Sequence, residues 1–147
     1  MITAFADTNV LFAAALSPTG ASRELLRESI RGNVALVLSN FVLAEAERNL
    51  MLKRPDAFAV LQGILDALPF ALADPTSEEV AEAATYTVLK DAPIVAAARK
   101  ANVDYLVSLD RKHLVSVAEV AQRSGLTIVL PEVVLDAVRQ AQNSPRG

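Results

Sequence analysis

The chain contains no cysteine and no tryptophan, one histidine (His113), and only two tyrosines and five phenylalanines in 147 residues. Without cysteine there is no disulfide, no thiolate metal site and no cysteine nucleophile. A lone histidine excludes a multi-histidine zinc centre. Strong positive charge is also missing: the formal net charge is −3, which excludes a generally basic nucleic-acid coat. No uninterrupted apolar run approaches the roughly 20 residues that span a bilayer. Met1 to Asp7 lacks the basic start and long apolar core of a signal peptide. A cytoplasmic protein with no membrane partner is therefore expected.

What is present is apolar and modestly charged: 52% hydrophobic and 21% charged residues, a balance that fits a compact fold and excludes general disorder. A chain of this size is expected to form one domain over residues 1–147 and to bury about two thirds of its unfolded surface. No repeat, low-complexity tract or linker divides it. Short apolar runs alternate with helical patterns. Residues 2–6 read as a strand, and Asp7-Thr8-Asn9 opens a helix through Leu16. Residues 21–31 form an amphipathic pattern with Leu25, Leu26 and Ile30 inward and Arg23, Arg27 and Arg31 outward. Val34 to Leu38 is the next strand, and Ser39 caps a helix to about Lys53. A helix from Asp56 to Leu68 and a weak strand at Phe70-Ala71-Leu72 follow. Thr76 and Glu79 have capping-box spacing at the start of another helix, and Pro93 lies in the first turn of an alanine-rich one. Residues 104–109 form a strand, residues 116–123 a helix, and Thr127-Ile128-Val129 a last strand. Pro131 begins the terminal helix, with 143–147 as a frayed tail. Strands separated by helices predict an α/β protein with a parallel sheet covered on both faces, whose ligand site lies at the carboxyl ends of the strands.

Four distant acids adjoin these elements: Asp7, Glu45, Asp91 and Asp110. Each aspartate alone has an ordinary reading as a helix or turn cap. Glu45 resists it, because it shares a helix face with Phe41 and Val42 in the second turn; its ordinary reading is a rim acid pairing with Arg48. Acids gathered without a counterion repel one another, and some would take up protons. An oxygen-rich group of this kind suits Mg²⁺ or Mn²⁺, which would hold a phosphate oxygen, acidify a water and stabilise charge growing on phosphorus oxygens.

The ordered set Asp7-Thr8-Asn9-Val10-Leu11, Glu45 after Ser39-Asn40-Phe41-Val42-Leu43-Ala44, Lys90-Asp91-Ala92-Pro93-Ile94 and Asp104-Tyr105-Leu106-Val107-Ser108-Leu109-Asp110 resembles the PIN domain, most closely its VapC-type toxin branch. The resemblance spans nearly the whole chain. It implies a PIN-like α/β/α sandwich with a five-stranded parallel sheet in the order 3-2-1-4-5. It also implies hydrolysis of RNA with Mg²⁺ or Mn²⁺, a homodimer, and a small antitoxin partner occupying the active groove. Carried over residue by residue, it makes Asp7, Glu45, Asp91 and Asp110 the catalytic metal-binding acids, with Thr8 and Asn9 supporting the first of them. Ser108 stands where the family often has Thr, and the hydroxyl is retained.

Other polar groups read more simply. Arg111, Lys112 and His113 could touch an RNA backbone but are read as a solvated turn. The Arg23, Arg27, Arg31 stripe is interleaved with Glu24 and Glu28 and is read as a solvated helix face. Two enzyme rivals and one binding rival remain: a haloacid-dehalogenase-type phosphatase, a housekeeping RNA-processing nuclease and a non-catalytic interaction module of the same fold. The phosphatase signature needs an acid and a hydroxyl where this chain has Asn9 and Leu11.

Overall fold

A computed structural model describes residues 1–144. The five strands are β1 (Ile2–Ala6), β2 (Val34–Leu38), β3 (Phe70–Leu72), β4 (Tyr105–Val107) and β5 (Ile128–Val129). They form one parallel sheet in the order β3-β2-β1-β4-β5, with Ala4 beside Leu36 on one side and Tyr105 on the other. Eight α-helices are described: α1 (Thr8–Leu16), α2 (Ala21–Ile30), α3 (Asn40–Lys53), α4 (Phe58–Ala67), α5 (Ser77–Ala83), α6 (Ala92–Ala101), α7 (Ala118–Ser124) and α8 (Pro131–Asn143). This is the PIN-like α/β/α arrangement and strand order that the sequence led us to expect.

The connectivity explains where a site can form. From β1 the chain steps through β2 to β3 in one direction, then crosses back to β4 and β5 on the other side of β1. Right-handed crossovers in opposite directions place their helices on opposite faces of the sheet. Helix N-termini therefore diverge where the order reverses, between β1 and β4, and leave a crevice at their carboxyl ends. Both strands are buried there: Phe5, Ala6, Leu106 and Val107 are fully enclosed. An all-parallel sheet covered on both faces needs such continuous apolar runs.

Several boundaries differ from expectation for local reasons. Strand β4 is shorter than 104–109: the Asp104 amide bonds to Thr3 Oγ1 at one end, while Ser108 to Asp110 turn away at the other. The helix expected from Asp56 begins instead as a 3₁₀ turn (Pro55–Ala57) before α4. Another 3₁₀ turn (Leu89–Asp91) leads into α6, and a π-helical turn (Arg111–Val115) precedes α7. In α2 the inward face is Ser22, Leu25, Leu26 and Ser29, so Ile30, expected inside, is 45% exposed. Inward positions follow the 3.6-residue period, and Ile30 falls one place beyond that row. Arg23 is not a solvated charge; its guanidinium donates to the Ala14 and Ala15 carbonyls at the end of α1. At the other terminus Asn143, expected in a frayed tail, is the last residue of α8, and Ser144 caps the helix by donating to the Gln140 carbonyl. Residues 145–147 lie outside the described residues.

Candidate active site

Asp7 follows β1 directly, and its amide continues the ladder by donating to the Val107 carbonyl at 2.9 Å. That bond ties the first acid to the end of β4, three residues before Asp110. Asp7 is buried, and both its oxygens are engaged. Oδ1 accepts the Thr8 amide at 2.6 Å, and Oδ2 accepts the Ser108 hydroxyl at 2.7 Å. The enclosed Ser108 oxygen in turn accepts the Asp110 amide at 3.0 Å and the Asn9 side-chain amide at 3.4 Å. Asn9 Oδ1 accepts the Leu109 amide at 3.1 Å. One buried hydroxyl and one amide thus lock the first turn of α1 to the exit of β4 and fix two carboxylates relative to each other.

All four acids anticipated from the sequence line one pocket of about 270 Å³, with Thr8, Asn9, Asn49, Lys53 and Lys90 among its other walls. Glu45 reaches it from the second turn of α3, half-buried. Asp91 reaches it from the junction of the 3₁₀ turn and α6, and Asp110 from the start of the π-helical turn. The capping readings prove correct for two acids without exhausting them. Asp7 caps α1 through Thr8, and Asp110 Oδ1 accepts the His113 amide at 3.0 Å. Asp91 occupies the N-cap position of α6 but makes no capping bond. It is only 5% exposed, and its Oδ2 has no hydrogen-bond partner; Thr8 Oγ1, of the same pocket lining, is likewise buried and unpartnered.

Burial pushes the Asp7 carboxyl up from its ordinary 3.8 to about 6, against the lowering by the Ser108 hydroxyl and Thr8 amide; Asp91 and Glu45 add to the rise. Burial also raises Asp91, opposed by Lys90 and reinforced by Asp110. At Asp110 burial acts upward too, but the His113 amide, Lys90 and the His113 ring together hold the carboxyl below its ordinary range. Among the described residues, the pocket's acids have one lysine ion pair, Lys90 to Asp110 at 3.7 Å. Lys53 lies instead over the Phe12 ring at 5.9 Å.

These residues fit a hard divalent cation. The donors are carboxylate and hydroxyl oxygens, two of them buried with nothing to bond, and the acids outnumber the pocket's lysines. The tightest grouping is not the anticipated four. Among the described residues, one group of three or more potential ligand atoms lies within 4.8 Å of one another: Asp91, Asp110 and His113. Asp7 and Glu45 line the pocket with Asp91 and Asp110 without joining that trio, and His113 reaches the trio from outside the pocket lining.

Sequence reasoning passed over Asn49 and Lys53 and gave Lys90 no role in the site. Asn49 and Lys53 follow Glu45 at spacings of four and eight on α3, a same-face signal that was available. His113 was weighed as an RNA contact and read as part of a solvated turn, since loops commonly carry such residues; a π-helical turn leaves no simple periodicity that would have placed its ring.

A fold reversing its strand order beside paired carboxylates, with acids brought in from α3 and α6, defines a known class of domain. Residues 3–112 match the family model of the PIN domain, and the chain belongs to that family. Solved structures share the fold. PAE2754 from Pyrobaculum aerophilum is 21% identical with a TM-score of 0.63, over 94% of this chain and 96% of that one. FitAcB from Neisseria gonorrhoeae is 20% identical with a TM-score of 0.60, over 88% and 98%. VapBC2 from Rickettsia felis, bound to a DNA fragment from its promoter, is 16% identical with a TM-score of 0.62, over 86% and 97%. No curated protein matches the chain.

Proposed function

We propose that this protein is a Mg²⁺- or Mn²⁺-dependent ribonuclease, acting as the toxin of a toxin–antitoxin pair. One observation carries the reading: a buried carboxylate oxygen of Asp91 lacks any partner in a pocket walled by three further acids. Membership of the PIN family and the fold shared with FitAcB and VapBC2 support nuclease chemistry and the toxin role. Asp7, Glu45, Asp91 and Asp110 hold the cation, and Thr8 Oγ1 adds a neutral oxygen. When bound, such a cation supplies Lewis acidity, polarising a phosphoryl oxygen and acidifying water.

The protein's own groups do the rest. Ser108 and Asn9 keep Asp7 and Asp110 at fixed separation, so the pocket is organised before substrate arrives. Lys53 and Lys90 flank the acids and offer positive charge to the RNA backbone. The His113 amide, Lys90 and the His113 ring hold the Asp110 carboxyl below its ordinary range, which favours the charged form that holds a cation. Glu45, half-buried in the same pocket, takes a proton from the attacking water as that oxygen bonds to phosphorus; the P–O ester bond breaks and the leaving oxygen takes up a proton from solvent. A small antitoxin, a homodimer and a cytoplasmic setting complete the proposal; no described helix is long and apolar enough to cross a membrane.

The test is cleavage of several RNAs with and without Mn²⁺ by the wild type, Asp7→Asn and Glu45→Gln. Metal-dependent cleavage lost in both variants is expected. Equal cleavage by wild type and Asp7→Asn would remove the mechanism.

A further inference from the structure

The π-helical turn after β4 has a chemical consequence. In it, the Leu114 and Val115 amides both donate to the Asp110 carbonyl, and the Ser116 amide donates to Arg111. Leu114, fully buried, anchors the turn. His113, in this turn, faces Asp110, the residue that caps it. Its amide binds Asp110 Oδ1, and its ring Nδ1 stands 3.3 Å from Asp110 Oδ2. π-helical turns are frequent at functional sites.

We infer that His113 is a cation ligand, forming with Asp91 and Asp110 a site of two carboxylates and one imidazole that favours Mn²⁺ and other transition-metal ions over Mg²⁺. The inference rests on the proposed metal-dependent nuclease and adds a nitrogen donor to its acids. Two independent observations support it. The three groups lie within 4.8 Å of one another, and Nδ1 to Oδ2 is 3.3 Å. Adjacent donors around a cation with bonds of about 2.1 Å lie about 3 Å apart and opposite donors about 4.2 Å apart, so modest side-chain movement completes the set. Separately, Asp91 is buried with Oδ2 unpartnered. Lys90, whose side chain is 65% exposed, pairs with Asp110 now and has room to swing outward. Mg²⁺ takes oxygen ligands and keeps much of its water, whereas imidazole suits transition-metal ions. An all-acid site would lack that discrimination.

The chain has one histidine, so an imidazole signal has a single source. The experiment is pulsed electron paramagnetic resonance of Mn²⁺ bound to the untagged full chain, at natural abundance and with ¹⁵N-histidine. Calorimetric Mn²⁺ and Mg²⁺ titrations of the wild type and His113→Gln accompany it. A directly coordinated nitrogen that changes with the isotope is expected. So is a loss of about tenfold or more in Mn²⁺ affinity for His113→Gln, with Mg²⁺ binding nearly unchanged. Bound Mn²⁺ without a coordinated nitrogen would overturn the inference and reduce His113 to a hydrogen-bonding support for Asp110, leaving the nuclease reading intact. Absence of saturable Mn²⁺ binding would overturn both. The isotope comparison uses wild-type protein alone, so a misfolded variant does not blunt it.

Discussion

Two charged regions of this protein are built in opposite ways. On α2, Glu24 pairs with Arg27 and Arg31, and Glu28 pairs with Arg31, all within 3.1 Å. These charges answer one another at the surface, with Glu28, the most enclosed, also accepting the Asn33 side-chain amide. At the carboxyl edge of β1 and β4, four acids face two lysines, one acid is raised to about 6 and another has an oxygen without a partner. Charge number does not separate the regions. What separates them is whether the protein supplies the compensating charge itself, and the deficit marks the place where something else must bind.

The comparison breaks most readily on activity. Asp91→Asn should lower metal-dependent RNA cleavage by about 10³-fold, since each 1.36 kcal/mol of lost transition-state stabilisation is a factor of ten and a cation supplies several. Arg31→Ala should leave the rate unchanged. Single-turnover assays on both variants decide it, and comparable losses would mean that the pocket holds no special position.

Stability against pH comes next. Folded Asp7 is raised from 3.8 to about 6, so between those values the native state binds more protons than the unfolded state. Stability of the metal-free protein should therefore fall as pH rises through this window, by about 3 kcal/mol from this group. Asp7→Asn should flatten the fall, and Mn²⁺ should oppose it. Asp110 acts with the opposite sign: its lowered carboxyl adds stability above its unfolded value and loses it in more acid solution. Urea unfolding at pH 5 and pH 7.5 reads the upper part of the Asp7 fall, about 1.4 kcal/mol, apart from the Asp110 contribution lost in more acid solution.

Smaller again is the framework that holds the acids in place. Ser108→Ala leaves Asp7 Oδ2 and the Asp110 amide without the shared hydroxyl, a loss of about 1–3 kcal/mol on denaturation. The smallest effect belongs to α2. Arg31→Ala removes an exposed partner of two glutamates and should shift the unfolding midpoint by no more than the error of the curve.

The fold was legible because each strand is a short apolar run ended by a residue with a distinct role. Asp7 ends β1, Ser39 follows β2 and caps α3, and Thr76 with Glu79 forms the anticipated capping box. The grouping of Asp7, Glu45, Asp91 and Asp110 around one pocket was legible for a related reason. Acids beside core elements must be compensated, and two of these follow neighbouring strands. What stayed hidden depends on turns rather than periodicity. The π-helical turn that carries His113 to Asp110 has no sequence rule, and the row of inward residues on α2 that buries Ser29 and exposes Ile30 is set by packing. Arg23 illustrates the same limit: as sequence it belonged to a solvated stripe, yet it secures the end of α1.

The most direct measurement is a calorimetric titration of Mn²⁺ into the wild type and Asp91→Asn at pH 6, in buffers of different ionisation enthalpy. Saturable uptake with proton release in the wild type, and its loss in the variant, is the predicted result; cation binding must displace the proton that the Asp7 carboxyl holds at about that pH. Identical heats from both proteins, or none from either, would contradict the claim that this pocket is built around a missing positive charge.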